Sequence, residues 1–314
     1  MVIIVKENEL LAPHTIYKIG GSARFFTEVH NAGEFEEAVR LAAEKRMPFF
    51  IMGAGSNTLV SDKGFNGLVI HMMGGGIQVD GERMTIDAGV RIARAAAEAA
   101  RAGLAGIAWA IGVPGSIGGS VRGNAGCFGH EMKDVIESAE IFDTDANVSR
   151  RLTAGECAFG YRDSIFKKHP EWVVLTATFK LEPGDPAVIQ GEIRRTSAER
   201  AAHQDIGAKS CGCIFKNASW KNIRQTKETM SMRFPELERF AGQEVIPAAF
   251  LIDRAGLKGK RMGRIVISQK HANFFINEGG GTADEVVMLI SLVKDTVRRI
   301  YGVGLHEEIQ YLGF

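Results

Sequence analysis

The chain has 314 residues, 45% of them hydrophobic and 24% charged, and its 38 lysines and arginines almost cancel 37 aspartates and glutamates. A formal charge of +1 excludes a global field that would hold nucleic acid or an anionic membrane surface, so any anionic partner must be held locally. No apolar run approaches the roughly 20 residues of a bilayer helix, and "MVIIVKENELL" lacks the basic start and cleavage site of a secretory signal. The expectation is a cytoplasmic protein, long enough for more than one core, with its four cysteines kept as thiols.

In chain order, Asn31 and Glu34 have capping-box spacing, and Phe35, Ala38, Val39, Ala42 and Ala43 recur with helical period. They predict a helix over 32–46 that Pro48 ends. "FFIM" reads as a short buried strand running into "GAGSN" (53–57), and "GLVIHM" (67–72) and "RMTIDAG" (83–89) read as further strands. "VRIARAAAEAARAG" is an alanine-rich helix with Gly103 as its stop. Strands near 137–143 and 171–181 follow, and the Pro183–Pro186 punctuation places a domain boundary near 183–190. Beyond it come a charged helix near 186–203, a polar insertion at 218–246, and strands at 264–268 and 272–277. A long amphipathic helix, opened by a Thr282–Glu285 box and closed by Gly302, carries Val286, Val287, Leu289, Ile290, Val293, Val297 and Ile300 inward. "LHEEIQYLGF" ends the chain as a strand, and the alternation as a whole means α/β or α+β layers.

Glycine is the compositional outlier at 37 residues, against an ordinary share of about 7%. The glycines gather in "GAGSN" and in "GVPGSIGGSVRGNAG" (112–126). Glycine permits positive φ and leaves no Cβ in the way of a phosphate, so a strand running into such a loop can aim backbone N–H groups at an anion. "GAGSN" alone lacks the third glycine of the dinucleotide fingerprint and is equally a tight turn between strands. The second array, with Ser116, Ser120 and Asn124 as further donors, shifts the reading to a long, flat dinucleotide such as FAD.

"YKIGGSARFF" (17–26), "GAGSNTLVSDKGFNGLVI" (53–70), the second glycine array, "FGYRDSIFK" (159–167), "GCIFKN" (212–217), "FLIDRAGLKGKRMG" (250–263), "HANFFIN" (271–277) and the terminal "LHEEIQYLG" resemble, in order and spacing, the UDP-N-acetylenolpyruvoylglucosamine reductase family. The resemblance covers nearly the whole chain. It implies an α+β protein with an FAD-binding fold of the vanillyl-alcohol-oxidase type and a separate α/β substrate domain. Residues 1–75 and 76–185 would be two FAD-binding subdomains, 186–303 the substrate domain, and 304–314 a strand returning to the FAD-binding body. It also implies FAD as cofactor, NADPH as reductant, and a UDP-sugar enolpyruvyl ether reduced to UDP-N-acetylmuramate for peptidoglycan. No nucleic acid, membrane or obligate protein partner is implied. The FAD contacts would come from Gly53, Ala54, Gly55, Ser56, Asn57 and Thr58, and from Pro114, Gly115, Ser116, Gly118, Gly119, Ser120, Asn124, Ala125 and Gly126.

Adding a hydride to the enolpyruvyl methylene leaves negative charge on the neighbouring carbon and its carboxylate, which must be stabilised and then protonated. Arg162 matches the family's arginine beside that charge, its rigid fork suiting a carboxylate; an ion pair with Asp163 is the plain alternative. Glu308 matches the family's C-terminal catalytic glutamate, with Glu307 as its rival, and in a strand the two point to opposite faces. Cys213 stands where many members carry a proton-donating serine. A thiol with a reference pKa of about 8.5 is still mostly protonated at neutral pH. A nearby ammonium would turn it into a thiolate, so Lys216 is expected to point at substrate phosphate or carbonyl groups instead. Tyr161, Lys216, Asn217 and His271 are the candidate substrate contacts, joined by the cations of "DRAGLKGKRMGR". Cys211 and Cys213 with His203 give too few ligands for a metal. Ala218 replaces the usual proline after "FKN", and the insertion that follows is longer than the commonest pattern. The rival readings are another FAD-linked oxidoreductase of this fold acting on a small alcohol or sugar, and a flavin-binding protein without catalysis.

Overall fold

The computed structural model describes residues 3–314. Asn31 starts the helix Ala32–Glu44 by accepting the Glu34 N–H at 3.0 Å, as the sequence requires. The box closes differently, because the Glu34 carboxylate accepts the His30 N–H at 2.8 Å. Phe35, Ala38, Val39 and Ala42 form the buried stripe.

The chain divides into two units: residues up to Leu10 with Ser22–Ser56 and Gly64–Ala202, and Leu11–Gly21 with Asn57–Lys63 and His203–Phe314. The first unit holds a four-stranded and a five-stranded sheet, with two short two-stranded pairings besides. Strands Val5–Leu10, Ser22–Val29, Phe65–Met72 and Phe49–Met52 lie in that spatial order, the first pair antiparallel and the others parallel. The apolar stripe of Ala32–Glu44 packs against Val29, Leu68 and Ile70 of this sheet. The second sheet is antiparallel, in the order Val148–Thr153, Ile136–Asp143, Trp172–Lys180, Arg83–Asp87, Ile77–Asp80. Against it lies the helix Ile92–Arg101, whose Ala95, Ala96 and Ala99 are fully buried beside Ile86, Ala139 and Ala177. Gly103 follows that helix with φ of 70°, a left-handed turn that costs glycine nothing.

Two features differ from the sequence reading. Residues Ile117–Arg122, inside the second glycine array, form a short helix rather than a loop. Ile117 and Val121 anchor it in the core, and the Gly118 Cα passes so close to Ala88 that a Cβ there would stand 2.8 Å from the alanine methyl. The boundary placed near 183–190 falls inside the first unit, which continues through the helix Pro186–His203 as far as Ala202. Ile189 of that helix is buried with Ala100 and Ala108, which ties it to the preceding core.

The second unit is built around the helix Ala283–Tyr301. Both halves of its Thr282–Glu285 capping box are present, and Gly302 ends it at φ 71°. Val286, Leu289, Ile290, Val293 and Val297 are buried as predicted, and Tyr301 rather than Ile300 completes the stripe. This face packs with Tyr17, Ile19, Leu59, Ile214, Phe215, Ile265, Ile267 and Phe275 in one core. The short strands Arg261–Met262, Ile265–Ile267 and Phe275–Asn277 form an antiparallel sheet, and the terminal strand Gln310–Leu312 runs parallel to Thr58–Val60. Among the described residues no helix is long and apolar enough to cross a membrane.

Truncating Leu289 (Leu289→Ala) should cost about 2–5 kcal/mol through its cavity, whereas Thr282→Ala, which removes one cap, should cost about 1 kcal/mol. Denaturant unfolding of the two variants checks the order; equal losses would contradict the packing described.

Candidate active site

The two glycine arrays of the first unit meet. A Cβ on Gly53 would overlap the Ser116 hydroxyl, and one on Gly115 would lie 3.4 Å from the Ser56 Oγ. Gly55 and Gly115 adopt φ of 60° and 144°, so both turns need glycine. Arg91 braces the first loop by donating from Nη1 to the Ala54 carbonyl at 3.4 Å. The second is held by Ile117 and Gly118, whose N–H groups donate to Val90 and Ala88 carbonyls at 2.9 Å each. Among the described residues the backbone N–H groups of Ala54, Gly55 and Ser56 have no protein acceptor. A side-chain-free cradle lined by unpaired donors and by the hydroxyls of Ser56 and Ser116 suits a pyrophosphate. These residues therefore fit FAD.

The same array holds Arg162. Residues 160–163 make a tight hairpin in which Gly160 and Asp163 exchange backbone hydrogen bonds of 2.9 and 3.1 Å. Arg162 takes the third position of that turn at φ 53°, where glycine is the usual residue. An arginine kept there at a cost of about 1–3 kcal/mol points to a functional demand on its side chain. Its Nη2 donates to the Gly126 carbonyl at 2.8 Å, Asn124 Nδ2 donates to the Gly160 carbonyl at 2.9 Å, and Ser164 Oγ donates to the Arg122 carbonyl at 2.7 Å. The Asn124 Oδ1 accepts the Lys133 N–H at 3.1 Å. Asn124, expected as a cofactor contact, is thus a fully buried bracket for the arginine hairpin. Tyr161, half-exposed beside it, lies with its ring 5.5 Å from the Arg162 guanidinium carbon.

In the second unit the segment 213–216 runs between two stretches of chain. On one edge Cys213 bridges to Phe274; on the other Phe215 bridges to Glu307. The Glu308 N–H donates to the Ile214 carbonyl at 2.8 Å, and the Lys216 N–H to the His306 carbonyl at 2.9 Å. Glu308 therefore stands opposite Ile214, the residue that follows Cys213. Asn57, from the end of the first glycine motif, donates from Nδ2 to the Glu308 carbonyl at 3.1 Å, and its own carbonyl accepts the Gln310 N–H at 2.8 Å. Lys294 forms a 2.8 Å ion pair with Glu307. Asn217 accepts the Ala248 N–H at 3.1 Å, capping the helix Ala248–Arg254. His271 packs 4.6 Å from the Phe274 ring, in the turn that precedes the Cys213 bridge. Of the glycine-flanked cations, Lys258 pairs with Asp253 at 2.8 Å and Arg261 pairs with Glu278.

All four cysteines are thiols. Burial pushes the Cys157 thiol up to about 11 and the Cys211 thiol higher still, and it raises Cys127 against the opposing influence of Arg200. Cys213 is only half-buried.

Comparison with known proteins accords with this geometry. Residues 23–150 match a family described as an FAD binding domain, and residues 204–312 match the UDP-N-acetylenolpyruvoylglucosamine reductase C-terminal domain. The enzyme of that name from Gloeobacter violaceus is 36% identical over 306 residues, 96% of this chain and 94% of the relative. The chain belongs to the UDP-N-acetylenolpyruvoylglucosamine reductase family. A Carboxydothermus hydrogenoformans member is 36% identical over 311 residues, 98% of this chain and 94% of the relative. A crystal structure of the reductase from Thermus caldophilus aligns with a TM-score of 0.77 at 29% identity, covering 99% of both chains. The reductase family accounts for the FAD-binding fold in the first unit and for the separate C-terminal unit.

Sequence reasoning missed two members of this arrangement. Asn273, within "HANFFIN", bonds both backbone polar groups of Phe215, and Arg91 braces the first glycine loop. The buried position of an asparagine inside an apolar motif is the available signal for the first; no pattern marks the second.

Replacing Gly53 with alanine should abolish FAD retention, because the new methyl meets the Ser116 hydroxyl. Retained yellow colour and an unchanged 450 nm absorbance after purification would contradict the cradle.

Proposed function

We propose that the chain reduces the enolpyruvyl ether of a UDP-N-acetylglucosamine derivative to the corresponding lactyl ether, with FAD as cofactor and NADPH as reductant. Held by the glycine cradle, FAD would supply the two-electron chemistry that links NADPH to the substrate. The chain's own residues supply the remainder.

Arg162, fixed by the Gly126 carbonyl and the strained hairpin, offers its guanidinium to the substrate carboxylate, whose charge grows as the hydride arrives. Cys213 holds a proton on Sγ for the carbon that has become electron-rich. A thiol in this place needs to remain protonated, and its half-buried position, outside the deeply buried environment of Cys211, leaves it accessible for transfer. Glu308 assists that proton transfer or polarises the substrate. Tyr161, Lys216 and His271 contact the UDP-sugar, while Asn57, Asn124 and Asn217 act mainly by holding backbone in place. The observation that carries this reading is the 2.8 Å bond from the Glu308 N–H to the Ile214 carbonyl, which sets the glutamate beside the thiol-bearing segment. The four thiols and the nucleotide-sugar substrate fit a cytoplasmic location.

In Cys213→Ala, reduction of bound FAD by NADPH should stay within about two-fold of native, and reoxidation by the enolpyruvyl substrate should slow by about 10²–10⁴-fold, the range of a lost general acid. Stopped-flow absorbance separates the two half-reactions. Equal slowing of both would refute the role of Cys213.

A further inference from the structure

We infer that Asn273 is a positioning residue for the proton-transfer segment, fixing the register of Cys213 against Glu308. This rests on the reading of Cys213 as proton donor. The Asn273 side chain is 2% exposed. Its Oδ1 accepts the Phe215 N–H at 2.9 Å, its Nδ2 donates to the Phe215 carbonyl at 2.8 Å, and its main-chain carbonyl accepts the Ile214 N–H at 2.9 Å. One residue thus binds three backbone groups, on Ile214 and Phe215, of the segment that carries the thiol.

The need for this arrangement follows from the local chain path. The Phe274 N–H turns back onto the His271 carbonyl at 2.9 Å, and the Ser268 N–H onto the Phe274 carbonyl at 2.9 Å, so residues 271–274 form a turn and cannot run on as a strand beside Phe215. A primary amide carries one acceptor and one donor on a short planar arm, and so reproduces the pair of bonds that a strand neighbour would have made. Phe215 is 1% exposed, so water has no access to its N–H and carbonyl, and without the amide both would be unpaired. A backbone segment bonded on one edge only can slip, and a slip of one residue turns every side chain to the opposite face. With Asn273 on one edge and His306 to Glu308 on the other, the thiol and the glutamate keep a single mutual register.

Aspartate at this position makes the inference testable. A neutral carboxylic acid has one donor and one acceptor and can repeat the amide's two bonds; a carboxylate accepts only and meets the Phe215 carbonyl with like partial charge. The experiment uses FAD-loaded Asn273→Ala, Asn273→Asp and Cys213→Ala proteins in stopped-flow, with amide hydrogen exchange followed across residues 213–216 and 306–308. In Asn273→Ala, FAD reduction by NADPH should stay within about two-fold, substrate reoxidation should slow at least about ten-fold, and the Phe215 amide should exchange faster. Asn273→Asp should match the alanine variant at alkaline pH and recover, relative to the unchanged protein at the same pH, as acidification protonates the new carboxyl. Native reoxidation in Asn273→Ala, equal slowing of both half-reactions, or no acid recovery in Asn273→Asp would overturn the inference. If Asn273→Ala does not fold, acid recovery in Asn273→Asp alone decides. Unchanged reoxidation in Cys213→Ala would remove the proton-donor reading and this inference with it. A slow Cys213→Ala beside a native-like Asn273→Ala removes the inference only.

Discussion

The backbone pairing of residues 213–216 is the constraint on which the second unit's chemistry depends. This segment has no hairpin partner nearby in sequence; its neighbours are Asn273, 58 positions from Phe215, and the stretch His306–Glu308. The bonds from Asn273 and from His306–Glu308 are long-range, and the helix Ala283–Tyr301 carries the chain from one edge to the other. Lys294, on the same helix, takes Glu307 as its ion partner, so one element both delivers the second edge and anchors a residue of it.

The first unit follows a parallel logic. Two glycine arrays with no side chains in the way meet at Gly53 and Ser116, and the second of them, through Asn124 and Gly126, also holds the hairpin of Arg162. Cofactor cradle and arginine hairpin thus share one stretch of backbone. Membership of the reductase family accounts for the FAD-binding array, and the proposed function gives the arginine beside it a part in the same reaction.

Much of this was legible in the residues themselves. The cap at Asn31, the box at Thr282, the stops at Gly103 and Gly302, and the apolar period of the last helix are local signals. The two arrays were recognisable because only glycine tolerates those turns. What escaped was long-range. The helix Ile117–Arg122 forms in a glycine-rich stretch that disfavours helix, because tertiary burial of Ile117 and Val121 outweighs propensity. The continuation of the first unit through Ala202 depends on Ile189 finding Ala100 and Ala108, which no punctuation in the sequence reveals. Asn57 and Asn124 sit in motifs that read as ligand-binding, yet their amides bond carbonyls of Glu308 and Gly160; spacing alone could not separate a ligand contact from a brace.

The central claim is that the proton for the substrate carbon comes from the sulfur of Cys213. Its most direct test is the pH dependence of single-turnover substrate reduction by the pre-reduced native protein and by Cys213→Ser. The account predicts that the native rate falls as alkaline pH strips the thiol of its proton, while the serine variant, whose hydroxyl does not ionise in that range, shows no such limb. Superimposable profiles, with the same alkaline limb in both, would contradict it.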